Sequence, residues 1–364
     1  MINLRLSKYF NNIDRFLIAL IVLLISIGLV TLVSATQQST ALIGNQIINI
    51  TVGIILLVFL SNVDPKRFLF LAPHLYIISL ILLVSVIFFG FESHGAKRWI
   101  NILFFNFQPS EIIKITIPMM LAWLYHRFQN TINYKTHSIA FIILAIPCLL
   151  ILDQPDLGTS ILIFLSGLIV IFLAGLSLRF IMVSIFSFLL ASPYLWSTLH
   201  LYQQNRILSL IDPSRDPLGT GYHSIQSMIA IGSGGFLGKG WSYGGQTQLN
   251  FLPETSTDFI FSVFGEEFGF LGIFILFVLY FLILYRCIDM AQKMQNTFSR
   301  LITASLVFTL FSSSFVNIAM VSGVLPIVGA PLPFVSYGGT SMVVSLTMIG
   351  IIMSLHSNKS LIAN

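Results

Sequence analysis

The stretch FLPETSTDFIFSVFGEEFGF, Phe251 to Phe270, sets Asp258 at the start of a long apolar run and places two more acids, Glu266 and Glu267, inside it. An ionised carboxylate at the centre of a bilayer costs on the order of 2.5–3.5 kcal/mol, so each of these acids needs a partner or a task. A helix running from Asp258 would put Ser262, Gly265 and Gly269 on its face, with Glu266 about 80° around and about 12 Å deeper. Glu266 and Glu267 are therefore expected to face the bundle or pair with cations, as polar glue between helices. Asp258 sits shallower, where solvent and a membrane-borne substrate can both reach it. A carboxylate in that position suits a general base, which must lie within reach of the proton it takes.

Three further polar clusters stand out. In GAKRWINILFFNFQPSEIIKI, Lys97 and Arg98 flank the interfacial Trp99, and Gln108, Pro109, Ser110 and Glu111 open a helix. Pro109 and Ser110 suit a helix start, and Glu111 in the first turn meets the positive end of the dipole. Lys114 follows at i+3, placed to face Glu111. The group reads either as an interface anchor with a local ion pair or as a site for an anion, and a lysine inside a span favours the second. In LDQPDLGTS, Asp153 and Asp156 mark a tight turn, with Asp156 either an N-cap or a substrate contact. In GVLPIVGAPLPFVSYGGTS, Gly323 to Ser341, three prolines and four glycines break any helix. Irregular backbone at membrane depth must be buried in protein or line a cavity, and Ser336 within it is a candidate substrate contact.

The elements that position these clusters follow from composition. The chain has 364 residues, 56% hydrophobic and 9% charged, with a mean hydropathy of +0.93. A soluble domain carries about 25% charge. An all-α integral membrane protein is expected, a single polytopic domain with about ten spans: 16–35, 45–61, 68–90, 110–126, 138–152, 157–175, 180–198, 258–285, 301–322 and 337–356. Arg5, Lys8 and Arg15 precede the run Phe16 to Val33, which is long for a signal segment, so it is expected to stay as the first span. With the N-terminus inside, 12 of the 18 basic residues fall on inner segments, as the positive-inside bias requires. Both termini are then cytoplasmic. Lys97, Arg98, Arg206, Arg215 and Lys239 lie outside, against that bias, and Lys114 lies in a span. The net charge of +5 reflects inner loops rather than nucleic-acid binding. Cys148 and Cys287 are too far apart along the bilayer to pair, and no CxxC or HExxH spacing marks a metal site.

Residues 199–257 form one long outer loop, and a loop of that length is usually functional. Within it Ile225, Met228, Ile229 and Gly232 recur at helical spacing, which predicts a short amphipathic or re-entrant helix between glycine-rich turns.

Together KRWI, FQPSEIIKI, QPDLGTS, GYHSIQSMIAIGSGGFLGKGW, FLPETSTDFIFSVFGEEFG and LPIVGAPLPFVSYGGTS resemble, in order, the SEDS family of peptidoglycan glycosyltransferases, over roughly residues 10–357. DPLGTGYHSIQS, GKGW and TDFIFSVFGEE look like the rod-shape (RodA) branch rather than the division (FtsW) branch. ETST before Asp258 departs from the ERHT-like segment of the family. The resemblance implies a ten-span enzyme of the bacterial cytoplasmic membrane. It would polymerise lipid II on the outer face during elongation, with a class B penicillin-binding protein as transpeptidase partner and the acid of the TDF motif, Asp258 here, essential. The chemistry is self-consistent. A diphosphate leaving group needs cations rather than an acid, so one carboxylate base with Lys97, Arg98, Lys114, Arg206 and Lys239 is a sufficient set. Gln108, Ser110 and Glu111 belong with these cations. A divalent cation such as Mg2+ could share the diphosphate charge, with Asp153 or Glu254 helping to hold it. The rival readings are a lipid II transporter and a non-catalytic scaffold for the transpeptidase.

Overall fold

Polar residues fix where most of the apolar runs start. Asp14 accepts a hydrogen bond from Leu17 N (2.8 Å) and opens α1, Arg15–Ala35. Ser39 precedes α2, Thr40–Ser61. Asp64 accepts from Lys66 N at the head of α3, Pro65–Phe89, whose proline occupies the first helical position. Asn133 and Asp156 cap α5, Tyr134–Asp153, and α6, Leu157–Leu173. Asn296 caps α11, Thr297–Val321. The remaining helices are α4, Pro109–Arg127; α7, Leu178–Thr198; α8, Thr220–Ser233; α9, Gly245–Gln248; α10, Ile260–Gln292; and α12, Gly339–Ser357. This computed structural model describes residues 12–93, 96–102, 105–198 and 220–357 apart from 250 and 253, with 204, 208, 210 and 212 alone between 199 and 219.

Seven of these helices (α1, α2, α3, α5, α10, α11 and α12) are long and apolar enough to cross a membrane, and α6 is a shorter apolar helix of 17 residues. The chain is a multi-pass membrane protein. Of these seven, the most buried are α11 and α12, whose apolar windows are each 67% buried; α12 packs along α2, and α11 on α4, α6 and α10. By contrast, α7 stands at the periphery, with Leu178, Met182, Val183, Phe186, Leu190 and Tyr194 exposed. The ion pair of Arg286 with Asp14 (2.6 Å) joins the end of α10 to the start of α1.

Two features depart from the expectation. The segment between α3 and α4, read as loop, forms a small antiparallel sheet: β1, Phe91–Ser93; β2, Ala96–Ile102; and β3, Phe105–Phe107. Glu92 pairs with Lys97, and Asn101 with Asn106.

The helix expected from Asp258 starts instead at Ile260 and breaks at Gly269 (φ +64°, ψ −162°). The displaced start has a direct cause. Asp258 O, the natural acceptor for Ser262 N, is taken by the Asn317 amide (2.9 Å), and Ser262 N turns to Phe259 O (2.9 Å). Asp258 therefore lies in the turn Glu254–Phe259, and no helical face runs from it to Gly269.

The break is repaired from outside the helix. Lys239 N and Gly240 N donate to Glu266 O and Glu267 O, and Phe270 N and Leu271 N donate to Gly235 O and Phe236 O. A glycine is required where the two backbones cross: a Cβ on Gly234 would lie 2.1 Å from Gly265 O, and one on Gly238 2.1 Å from Glu267 O.

Candidate active site

The turn carrying Asp258 is held from three sides. Thr257 N and Phe259 N both donate to Glu254 O (3.1 and 3.3 Å), and Glu254 itself is left-handed (φ +45°). Ser336 Oγ donates to Thr257 O (2.6 Å) while accepting from Leu332 N (2.8 Å). Tyr337 N donates to Ser256 O (2.8 Å). The buried Asn317 donates to Asp258 O and also to Ala330 O (2.6 Å). These bonds sew the turn to the irregular loop Ser322–Gly338, and the side chain of Asp258 lies against Gly329, where a Cβ would stand 3.2 Å from Oδ2. Asp258 as a residue is half-buried and is fixed at its backbone.

Just past Gly329, the same loop lines a second polar place. Ala330, Pro331 and Pro333 close a cavity of about 20 Å³ with Glu111, Lys114, Ser313, Ser341 and Ser345, room for about one water. Lys114 and Glu111 form a buried ion pair at 2.5 Å, the local pairing that the i+3 spacing anticipates. At the start of α6, Gly158 lets Val328 of the loop approach to where a Cβ would meet its carbonyl oxygen at 2.9 Å. Asp156, 5% exposed, caps α6 through Thr159 N (3.1 Å) and faces Arg98 Nη1 (3.7 Å) and Gln108 Nε2 (3.4 Å). Arg98 also donates to Gln154 O and Pro155 O (3.3 and 2.5 Å). Gln108 N reaches Thr340 Oγ1 (3.3 Å), which bonds Asn106 O. One loop thus connects Asp258 to the Glu111–Lys114 cavity and to the head of α6.

The candidates from sequence divide accordingly. Arg98, Gln108, Glu111 and Lys114 come together at the heads of α4 and α6, and Ser110 is buried beside them in the first turn of α4. Lys97 is exposed on β2 and has no ion-pair partner among the described residues. Ser336 is buried with its hydroxyl committed on both sides, so it shapes the turn instead of facing solvent. Asp153 is exposed at the end of α5; Asp156, three residues on, is the acid that the arginine meets. Glu254 is exposed, and its carboxylate accepts from Thr257 Oγ1 (3.0 Å). Arg206 lies outside the described residues.

Lys239 goes elsewhere. It pairs with Glu266 at 2.7 Å, not with the Lys97–Lys114 group, because a carboxylate with no solvent exposure needs a countercharge and the backbone crossing supplies this one. Gln246 N and Thr247 Oγ1 complete the shell of Glu266. Glu267 accepts from Ser34 Oγ on α1 and from Ser242 N (3.0 Å). Both glutamates are glue, and what they bind to α10 is mainly the long loop.

Two residues at the site escaped the sequence reading. Gln46 bridges Ser336 O and Gly338 N (3.1 and 3.3 Å), and Asn317 holds Asp258. Each is an amide inside an apolar run, which was the available signal. Among the described residues no three His, Cys, Asp or Glu side chains gather as metal ligands.

Several known proteins resemble this chain in sequence or in fold. The peptidoglycan glycosyltransferase MrdB of Escherichia coli is 45% identical over 353 residues, covering 97% of this chain and 95% of the relative. A probable peptidoglycan glycosyltransferase FtsW of Trichlorobacter lovleyi is 34% identical over 98% of this chain and 95% of the relative. Among solved structures, a chain of a peptidoglycan synthase complex that coordinates polymerization and crosslinking aligns with a TM-score of 0.83 at 32% identity, over 94% of this chain and 97% of that one. The rod shape determining protein RodA of Thermus thermophilus aligns at 0.72 with 27% identity, over 94% and 96%. The family described as cell cycle protein, uniting FtsW, RodA and SpoVE, matches residues 11–361, a span that takes in the Asp258 turn, the loop that holds it and the heads of α4 and α6, and the chain belongs to that family.

Proposed function

We propose that this chain is the peptidoglycan glycosyltransferase of cell elongation, polymerising lipid II into glycan strands at the outer face of the bacterial cytoplasmic membrane, with Asp258 as general base. The observation that carries this reading is the Asp258 turn: a half-buried aspartate whose backbone is pinned by Ser336 and Asn317 to the loop that also closes the Glu111–Lys114 cavity.

The chemistry follows from the groups present. The acceptor's 4-hydroxyl lies against Asp258, which takes its proton as the oxygen attacks the anomeric carbon of the donor. The new glycosidic bond forms as the bond from that carbon to the diphosphate oxygen breaks, with inversion. The lipid diphosphate leaves as an anion and needs no acid, unlike the leaving group of an inverting hydrolase. Among the described residues Lys97, exposed on β2, is the cation free to meet that charge, and Arg98, 27% exposed at its side chain and held by Asp156, stands beside it. Lys114 is already neutralised by Glu111 and acts by holding the cavity's shape and potential. Gln108 and Ser110 belong to the same rim. A class B penicillin-binding protein is the expected partner, in keeping with the synthase complex that this fold resembles.

Purified chain supplied with labelled lipid II should make glycan polymer unaided, and Asp258→Asn should make none while staying folded. A positioned base gives roughly 10²–10⁴-fold, so an Asn variant retaining more than about a tenth of the activity removes Asp258 from that role. Polymer made only when a second enzyme is added, and made equally with Asp258→Asn, would leave the chain a scaffold. Lipid moved across vesicles without polymer would make it a transporter.

A further inference from the structure

A second, larger cavity lies away from the Asp258 turn. It occupies about 520 Å³ between the ends of α6, α10 and α11 and is walled by side chains including Leu173, Leu284, Ala304, Val307 and Phe311. It opens sideways, since Leu173, Ile288 and Phe311 are each almost half exposed, and a cavity of that size is ample for a lipid-sized ligand. At one end the wall turns polar, with Gln292 and Arg300.

Arg300 differs from the other cations at this end. Arg286 is paired with Asp14 and Asp289, and Lys293 with Asp289. Arg300 is exposed and has no acidic partner among the described residues. It stands in the first turn of α11, where the helix dipole adds to its positive field. The polar end therefore carries one cation unpaired among the described residues, and the rest of the lining is almost wholly apolar.

Length decides what fits. From Arg300 to Phe311 the cavity runs eleven residues along α11, about 16 Å at 1.5 Å per residue. That is about half of a ~30 Å hydrocarbon core, one leaflet deep. A transmembrane helix of a partner would need a groove across the whole thickness.

We infer that this cavity binds an anionic phospholipid of the leaflet on the basic side of the membrane, one acyl chain lying between α6, α10 and α11 and the phosphate meeting Arg300. Basic pockets between spans on the cytoplasmic side bind such headgroups. The site is separate from the proposed chemistry and does not depend on it.

Native mass spectrometry of the full chain in detergent tests it, with phosphatidylglycerol, phosphatidylcholine of the same chains, and glycerol 3-phosphate as probes. Phosphatidylglycerol should be retained at one per chain, phosphatidylcholine weakly, and glycerol 3-phosphate not at all. Arg300→Gln should weaken phosphatidylglycerol about fivefold, the scale of one surface cation. Ala304→Trp, which fills the cavity, should abolish retention at an unchanged melting temperature. Should Ala304→Trp fail to fold, Val307→Phe serves the same end. Equal retention of both lipids, or retention indifferent to Arg300→Gln and to the filling variant, overturns the inference. Capture of glycerol 3-phosphate alone would also overturn it, as would a cysteine in α7 crosslinking into the cavity with lipid present, which would make the space a seat for α7.

Discussion

At the scale of single residues, the Asp258 turn depends on buried side chains that hold its backbone. Asn317 spends both amide hydrogens on Asp258 O and Ala330 O. Removing it leaves two buried carbonyls unpaired, a penalty of about 1–3 kcal/mol each, and frees the carboxylate to drift. Misplacement of a reacting group by about 1 Å costs on the order of 10²-fold. Asn317→Ala should therefore slow polymerisation by roughly 10- to 100-fold while lipid II affinity stays nearly constant. Rate and binding measured on the same folded preparation check this, and a parallel loss of both would make Asn317 a general stabiliser. The cations should behave in the opposite sense. Replacing Lys97 and Arg98 by Gln should weaken lipid II binding as well as turnover, more so at low salt, where exposed charges act farthest. If neither quantity moves, these two are interface anchors. Arg98 has a second task through its bonds to Gln154 O and Pro155 O, so Lys97→Gln is the cleaner probe.

At the scale of elements, the crossing of the long loop with α10 is the feature that composition could not announce. An isolated glycine in a helical pattern is ordinarily tolerated, and nothing local to Gly269 says that another backbone passes within bonding distance. The prediction rests on the Cβ positions. Gly238→Ala puts a methyl 2.1 Å from Glu267 O in a left-handed residue (φ +82°), and strain of that kind costs on the order of 1–3 kcal/mol. Gly232 has no atom within 4 Å of a built Cβ, so Gly232→Ala should be neutral or slightly stabilising. Thermal unfolding of the two variants side by side tests the crossing, and equal melting temperatures would remove it. Lys239→Met should also destabilise, because Glu266 is fully buried and keeps only Gln246 N and Thr247 Oγ1. The acids themselves were legible, since carboxylates in hydrocarbon stand out at once. Their partners were not, because Lys239 and Ser34 lie 27 and 233 positions away and only the fold brings them near. The small sheet was hidden for another reason: AKRWINI carries no clean alternation of apolar and polar residues. Asp258 was placed on the right segment but in a helix, because nothing in TSTDF reveals that Asn317 will claim the carbonyl.

At the scale of the whole molecule, the proposed chemistry requires that the Asp258 side face outward, and the helices make that a question of parity. Arg286 reaches Asp14, so the start of α1 and the end of α10 share one face, the face to which Lys293 and Arg300 also belong. The turn at Asp258 opens α10 and so lies at the other end. The crossing ties the Gly234–Gly240 loop to the outer part of α10, and Tyr243 beyond it is 79% exposed. From the basic bias, the Asp14–Arg286 face is expected to be cytoplasmic. Both native cysteines are buried, Cys287 fully and Cys148 nearly so, so introduced thiols can be read above a low background. A membrane-impermeant maleimide added to intact spheroplasts should label Tyr243→Cys. It should label Gln295→Cys, which is exposed between α10 and α11, only after permeabilisation. Labelling of both in intact cells would put an even number of crossings between them and undo the arrangement in which α10 carries Asp258 from the outer surface inward. The reverse pattern, Gln295→Cys alone, would keep the parity but turn the molecule over, leaving Asp258 in the cytoplasm, where a polymerase could not deliver its product to the wall.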